Sequence, residues 1–455
     1  MNFLAQSNFG TKVAEWKVYN KITWRLMPFM LLLYIISFLD RVNVGFAKLQ
    51  MSKDIGLGNA AYGLGAGIFF LGYCLCEIPS NLILQRLGAK FWIARILVVW
   101  GIISTATMLV HTPMQFYVAR LLLGIAEAGF YPGIVFYLTY WYPVRLRSQI
   151  CALFFLGIPI SGVIGGPLSG GIMTALDGMN GWHGWQWLFL FEGAPAIIFG
   201  VVTYFYLDDG PAKAGWLTAS EKSLVIDELE SETRMKLAAG MGHKFGHAIK
   251  NVNIWLLSFA NFAMLSGVYG VSFWLPQIIK DLGVKDFFTI GLITTIPFAV
   301  ACVGMILIGK HSDRTRERKW HTVCCGLLGA AGLILSGVFA QLPIVSLFGL
   351  SLAMTGALAG LAVMWSLPGY IFSGAAAAAG FALMATVGNL GGYVAPITLG
   401  LVKQSTGRLE DGLYTLAAAM IIGSVLMMLL TKLRSAAPAS YKRPDVSGSL
   451  VGGEQ

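Results

Sequence analysis

Tyr34-Ile35-Ile36-Ser37-Phe38-Leu39-Asp40-Arg41-Val42-Asn43 sets an acid and a base side by side late in an apolar run, Arg25 to Ala47, that is long enough to cross a bilayer. An ionisable side chain at that depth costs roughly 2.5 to 3.5 kcal/mol on insertion scales, so a pair kept there marks a functional site unless a purely structural pairing explains it. Arg120 and Glu127 repeat the theme. Their separation is nearly two helical turns, which puts them on one face about 10.5 Å apart along the axis.

Working outward, only 12% of the 455 residues are charged and 56% are apolar, against about 25% charged in an ordinary soluble domain. The chain is built for lipid, and its 55 glycines suit helices that approach closely without a hydrophobic force between them. Apolar runs of about 20 residues number twelve. They are Arg25 to Ala47, Ala61 to Leu84, Phe91 to Val110, Met114 to Trp141, Ile150 to Leu176, Trp187 to Leu207, Asn253 to Ile279, Phe288 to Ile308, Thr322 to Leu342, Ile344 to Leu367, Ala375 to Lys403 and Leu413 to Leu433. The expected fold is an all-α membrane protein with twelve transmembrane helices in two six-helix bundles. Its parts are a cytoplasmic N-terminus (1–24), a first bundle (25–207), a cytoplasmic linker (208–252), a second bundle (253–433) and a cytoplasmic tail (434–455).

The net charge of +10 is explained by where the charges fall. With both termini cytoplasmic, 24 of the 32 lysines and arginines lie on that side and 6 on the other, the remaining two being Arg41 and Arg120. That bias fixes the orientation, and nucleic acid is not an expected partner. Met1 to Trp24 is polar and lacks the apolar core and cleavage site of a signal peptide, so the first span itself is expected to insert. Cys74, Cys76, Cys151, Cys302, Cys324 and Cys325 fall mainly in or at the ends of spans and imply neither a disulfide framework nor a zinc site. In the linker, Ser220 to Glu230 has helical periodicity and an acidic start, which predicts a surface helix. His243 and His247, four residues apart in that linker, read as a solvated pair rather than a metal clamp. No His-Glu-x-x-His, Walker or Gly-x-Ser-x-Gly pattern occurs in a plausible context, so no enzyme is expected.

A repeat divides the chain into equivalent halves. Asn81-Leu-Ile-Leu-Gln85-Arg86-Leu-Gly88-Ala-Lys90 follows the second run and Gly309-Lys-His-Ser-Asp313-Arg314-Thr-Arg316-Glu-Arg318 follows the eighth, an offset of 228 residues. Carriers made of parallel halves bind between them near the midplane and rock one half against the other.

These segments follow the loop signature G-x-x-x-D-R-x-G-x-R/K, and through them the chain resembles the major facilitator superfamily. More narrowly it resembles the anion:cation symporter family, which includes galactonate, tartrate, phthalate and 4-hydroxyphenylacetate permeases. The matching motifs cover almost the whole chain: Phe38-Leu-Asp40-Arg41-Val-Asn43, Glu77-Ile-Pro-Ser-Asn81, Gly124-Ile-Ala-Glu127-Ala-Gly-Phe-Tyr-Pro132-Gly, Gly184-Trp-Gln-Trp187-Leu-Phe-Leu-Phe-Glu192-Gly, Trp216-Leu-Thr, Phe273-Trp-Leu-Pro276 and Gly388-Asn-Leu-Gly-Gly392. Two features stand apart. Gln85 replaces the usual aspartate of the first loop, and Gly162-Val-Ile-Gly-Gly166-Pro167-Leu-Ser-Gly170-Gly171 resembles a motif associated with antiporters. Close packing is the reading preferred for that glycine run, and exchange stays open.

The resemblance implies proton-coupled import of a small organic carboxylate, of the tartrate, phthalate or hydroxyphenylacetate type, by alternating access. The alternative is an organic-anion exchanger or a galactonate-like sugar-acid symporter. It also implies roles: Asp40 and Glu127 carry protons, Arg120 tunes Glu127, and Arg41 and Tyr73 bind substrate. Two polar ligand positions of the sugar-acid transporter correspond to Ile158 and Ala362, which favours a substrate with fewer hydroxyls.

The charges themselves suggest how coupling works. Asp40, Arg41, Arg120 and Glu127 sum to zero, which allows two internal pairs. A carboxylate guest makes the sum −1 and a proton restores the balance, so each favours the other. Arginine suits the ligand role because its planar fork grips a carboxylate through two bonds. The second half has no ionisable residue well inside its runs. Its candidates for selectivity are Asn261, Tyr269, Trp365, Ser366, Tyr370 and Asn389, of which Trp365, Ser366 and Asn389 are taken as substrate contacts. Glu77 and Glu192 are read as structural. Expected partners are the organic anion, protons and the lipid bilayer. No cofactor beyond the coupling proton and no metal are expected, and the carrier is expected to be a monomer in a bacterial inner membrane.

Overall fold

The computed structural model describes residues 3–238, 250–368 and 374–430; His243, His247, Tyr370 and the tail fall outside them. Among the described residues, twelve helices are long and apolar enough to cross a membrane. In chain order, as first to twelfth span, they are Glu15–Asp54, Asn59–Leu87, Ala89–Leu109, Pro113–Leu138, Val144–Leu176, Gly184–Tyr206, Val252–Asp281, Phe287–Thr315, Lys319–Val338, Pro343–Met364, Gly380–Thr406 and Glu410–Met428. Each overlaps one of the apolar runs, and the described residues contain no strand.

The first span begins at Glu15 rather than Arg25 because its polar lead-in has a partner. Val18, Tyr19 and Ile22 are buried. The Tyr19 hydroxyl donates to Glu228 over 2.7 Å, and Lys21 pairs with Glu221 at 2.8 Å. Both carboxylates belong to the linker helix, Ala219–Ala238, which extends well past the segment expected from periodicity. Lys21, helped by the Thr218 amide, holds the Glu221 carboxyl below the usual carboxylate range.

Within the halves, the third span packs on the sixth and the ninth on the tenth; the fifth on the eighth and the second on the eleventh join one half to the other. The glycine run of the fifth span makes one of those joints. A Cβ on Gly166 would meet the Gly291 carbonyl oxygen and one on Gly291 would meet that of Gly166, so a side chain at either would force the spans apart.

Polar contacts fasten the halves at the end remote from the termini. Lys48 reaches Asn59 at 3.2 Å and Gln277 at 3.1 Å, with its ammonium 4.1 Å from the centre of the Trp274 ring. The Tyr62 hydroxyl donates to the Phe273 carbonyl over 2.8 Å, and Lys280 donates to the Leu49 carbonyl over 3.1 Å. Lys48, counted above as a loop charge, is therefore a buried interfacial residue, 4% exposed. Two amide acceptors and an aromatic face replace its water.

The two basic turns differ as Gln85 requires. Asp313 pairs with Arg318 in the second half. In the first half the carboxylate comes from beyond the sixth span, where Asp209 accepts from the Lys90 amide over 3.2 Å.

Candidate functional site

The fourth span is broken where its acid sits. Its first helix ends at Glu127 and the next begins at Phe130, with Gly129 between them at φ 86°. A Cβ there would run into the Ser80 side chain, so both the backbone angle and the space require glycine. Irregular backbone at this depth is tolerated because it is enclosed by protein.

Glu127 is fully buried and pairs with Arg41 across the first and fourth spans. The Ser37 hydroxyl donates to the same carboxylate oxygen over 2.7 Å. Arg41 uses its other terminal nitrogen to donate to the Tyr269 hydroxyl over 2.8 Å, which ties the site to the second half. Arg41 and Tyr269 are 228 residues apart, the offset of the repeated basic turns, so equivalent positions of the two halves meet here. The guanidinium carbon lies 5.2 Å from the centre of the Phe69 ring and 5.4 Å from that of Tyr73, and that of Arg120 lies 5.0 Å from the centre of the same Phe69 ring. Cations over ring faces gain electrostatic attraction that partly offsets lost water.

The other charges depart from the expectation of two internal ion pairs. Arg120 is buried and places one nitrogen 3.5 Å from the Arg41 carbonyl oxygen; the partner of Glu127 is Arg41, not Arg120. Two helical turns along the fourth span hold Arg120 away from Glu127. Asp40 has neutral partners instead: Trp100 Nε1 donates to it over 2.6 Å and the Ser104 hydroxyl over 2.7 Å, both from the third span. Adjacent helical residues point about 100° apart, so Asp40 and Arg41 face different neighbours.

The remaining predicted residues separate into two groups. Tyr73 and Tyr269 adjoin Arg41. Trp365 is half-buried in an aromatic group with Tyr131, Phe155 and Phe381, their ring centres 5.7 to 6.2 Å from its own. Ser366 donates to the Val363 carbonyl over 2.8 Å. Asn389 is half-buried on the eleventh span, and Asn261 donates to the Met384 carbonyl over 2.8 Å within the second half. Ser37, Asn43, Trp100 and Ser104 were missed by sequence reasoning. Ser37 carried a signal, being one turn before Arg41 on the same helix face.

Arg41 Nε, Arg120 Nε and Nη1, and Glu127 Oε2 are buried without a hydrogen-bond partner. A buried donor left open costs about 1 to 3 kcal/mol. A planar two-oxygen anion supplies the acceptors these guanidinium groups lack. No group of three or more His, Cys, Asp or Glu able to hold a metal occurs among the described residues.

A family model described as Major Facilitator Superfamily matches residues 30–396. The chain is 44% identical to the putative metabolite transport protein NicT of Pseudomonas putida, over 92% of this chain and 95% of that one. It is 43% identical to a putative tartrate transporter of Agrobacterium vitis, over 93% of each. In fold it is similar to the xylose transporter XylE from E. coli in an inward-open conformation, with a TM-score of 0.73 and 15% identity over 91% of this chain and 97% of that one.

Proposed function

The chain belongs to the Major Facilitator Superfamily, and from that premise we propose that it imports a small organic carboxylate together with protons. The observation that carries this reading is the buried Arg41–Glu127 pair, joined through Tyr269 to the opposite half. Arg41 and Arg120 outnumber Glu127 by one charge when Asp40 is protonated, and the balance is zero when Asp40 is ionised. A protonated carrier therefore meets a carboxylate with a net charge of +1. An anion that takes Arg41 also draws it away from Glu127, which then accepts a proton in its place. Each step makes proton and anion bind better together than apart.

In this reading Arg41 and Tyr73 contact the substrate, Arg120 adds the second positive charge, and Asp40 and Glu127 exchange protons. Trp365, Ser366 and Asn389 belong to the route or wall contributed by the second half. The similarity to a putative tartrate transporter of Agrobacterium vitis supports a tartrate-like substrate. The distribution of lysine and arginine supports termini in the cytoplasm and an inner-membrane location. Alternating access then requires the Lys48 and Lys280 contacts at the remote end to part while the opposite end closes.

A thermal-shift screen of the purified carrier tests the substrate class. Small carboxylates are expected to raise the melting temperature, because a ligand bound only to the folded state stabilises it. The matching amides and methyl esters are expected to leave it unchanged. Stabilisation by neutral analogues equal to that by the acids would contradict an anion-binding site.

A further inference from the structure

We propose that Lys48 is a second carboxylate-binding residue, which takes up the anion at the outer end of the interface between the halves before Arg41 receives it. This deepens the anion-carrier reading and rests on it. The first and seventh spans meet in three successive rungs. Arg41 donates to the Tyr269 hydroxyl over 2.8 Å. One turn on, Gly45 lies against the Phe273 backbone, where a Cβ would come within 2.8 Å of the carbonyl oxygen. At the third rung Lys48 donates to Gln277 Oε1 over 3.1 Å. Arg41 and Lys48 are thus on one face of the first span, about 10.5 Å apart along its axis, with the Gly45 rung between them. The Tyr62 hydroxyl donates to the same Phe273 oxygen over 2.8 Å, which seals that middle rung. Parting of the halves separates the two spans, and both cations then line one cleft.

The partners of Lys48 are neutral. They are the amide oxygens of Asn59, at 3.2 Å, and of Gln277. Asp281, the carboxylate bonded into this network, is already held by Lys403 at 2.6 Å and by Gln277 Nε2 at 2.7 Å. With Lys280 donating to the Leu49 carbonyl, the polar contacts of this joint bring together three lysines and one carboxylate. That excess of positive charge faces the side from which the anion arrives, where it raises the local anion concentration. Asn59 lies in the same half as Lys48, and Gln277 in the other. Opening therefore removes one acceptor from an ammonium that has three hydrogens to donate. A carboxylate oxygen replaces the lost amide oxygen with a stronger, charge-assisted bond. The anion then passes inward to Arg41, whose buried Nε has no partner, and Gln277 returns to Lys48 as the halves close behind it.

The test is initial-rate uptake of labelled tartrate by the full-length carrier in right-side-out and in inside-out membrane vesicles at fixed pH. Lys48→Gln keeps an amide that can bond Asn59 and Gln277 and removes the charge. Its KM at the outer face is expected to rise about tenfold or more, the ratio supplied by one hydrogen bond to a charged group, while KM at the inner face stays at the wild-type value. A latch with no part in binding predicts the opposite sign, because a weakened closed contact populates the outward-open form and lowers the outer KM. An outer KM at or below wild type, or an equal rise at both faces, overturns the proposal. Should Lys48→Gln fail to fold, Arg41→Lys decides, since its Lys48 is intact. External tartrate is then expected to slow modification of Lys48 by a membrane-impermeant amine reagent, read by mass spectrometry, while the exposed Lys53 reacts as before. Equal modification of Lys48 with and without tartrate overturns the proposal. Wild-type vesicles that take up neither tartrate nor any other carboxylate would remove the anion-carrier reading itself, whereas normal wild-type uptake with an unchanged outer KM in Lys48→Gln would remove the outer subsite alone.

Discussion

Glu127→Gln is expected to abolish accumulation driven by a pH gradient while leaving exchange of labelled for unlabelled substrate intact. The amide keeps the size of the carboxyl, and its oxygen still accepts from Ser37 and Arg41, the two donors that hold Glu127 in place. It cannot take up the coupling proton. A gradient of one pH unit supplies about 1.36 kcal/mol per proton, so one proton per substrate sustains roughly tenfold accumulation in the wild type. The variant should stop near equal concentrations on the two sides, in proteoliposomes with the membrane potential clamped. Normal accumulation by Glu127→Gln would remove Glu127 from the proton carriers.

Arg41→Lys is expected to weaken substrate binding about ten- to hundredfold, from the roughly 1.5 to 3 kcal/mol of a hydrogen bond to a charged group. Arg41 engages Glu127 through one nitrogen and Tyr269 through the other, with aromatic faces around its guanidinium plane. An ammonium is a point charge that cannot hold both partners and a carboxylate in one plane. Isothermal titration with the carboxylate found in the thermal screen checks this. Wild-type affinity in Arg41→Lys would take Arg41 off the list of ligands.

Much of this arrangement was legible before any coordinates. Apolar runs located the twelve spans, and the repeat offset of 228 residues gave the register of the two basic turns. The depth of the four charges was legible too, because hydropathy alone marks Asp40, Arg41, Arg120 and Glu127 as out of place. Their pairing was not. Asp40 and Arg41 are neighbours in sequence, yet the helix turns them toward different spans, and only tertiary packing decides that one meets Trp100 and Ser104 and the other meets Glu127. Lys48 was misread for a related reason. A lysine near a span end counts as a loop charge until Gln277, contributed by the other half, is seen to receive it.

The account rests on a carboxylate and a proton entering the same buried centre together. Uptake by the purified carrier in proteoliposomes, with external pH varied at fixed internal pH and clamped membrane potential, measures this directly. Tartrate is the first substrate to use. The expected result is accumulation that rises as the outside is acidified, accompanied by proton entry in fixed proportion to substrate. Equal uptake with and without the gradient, with no proton movement, would contradict it.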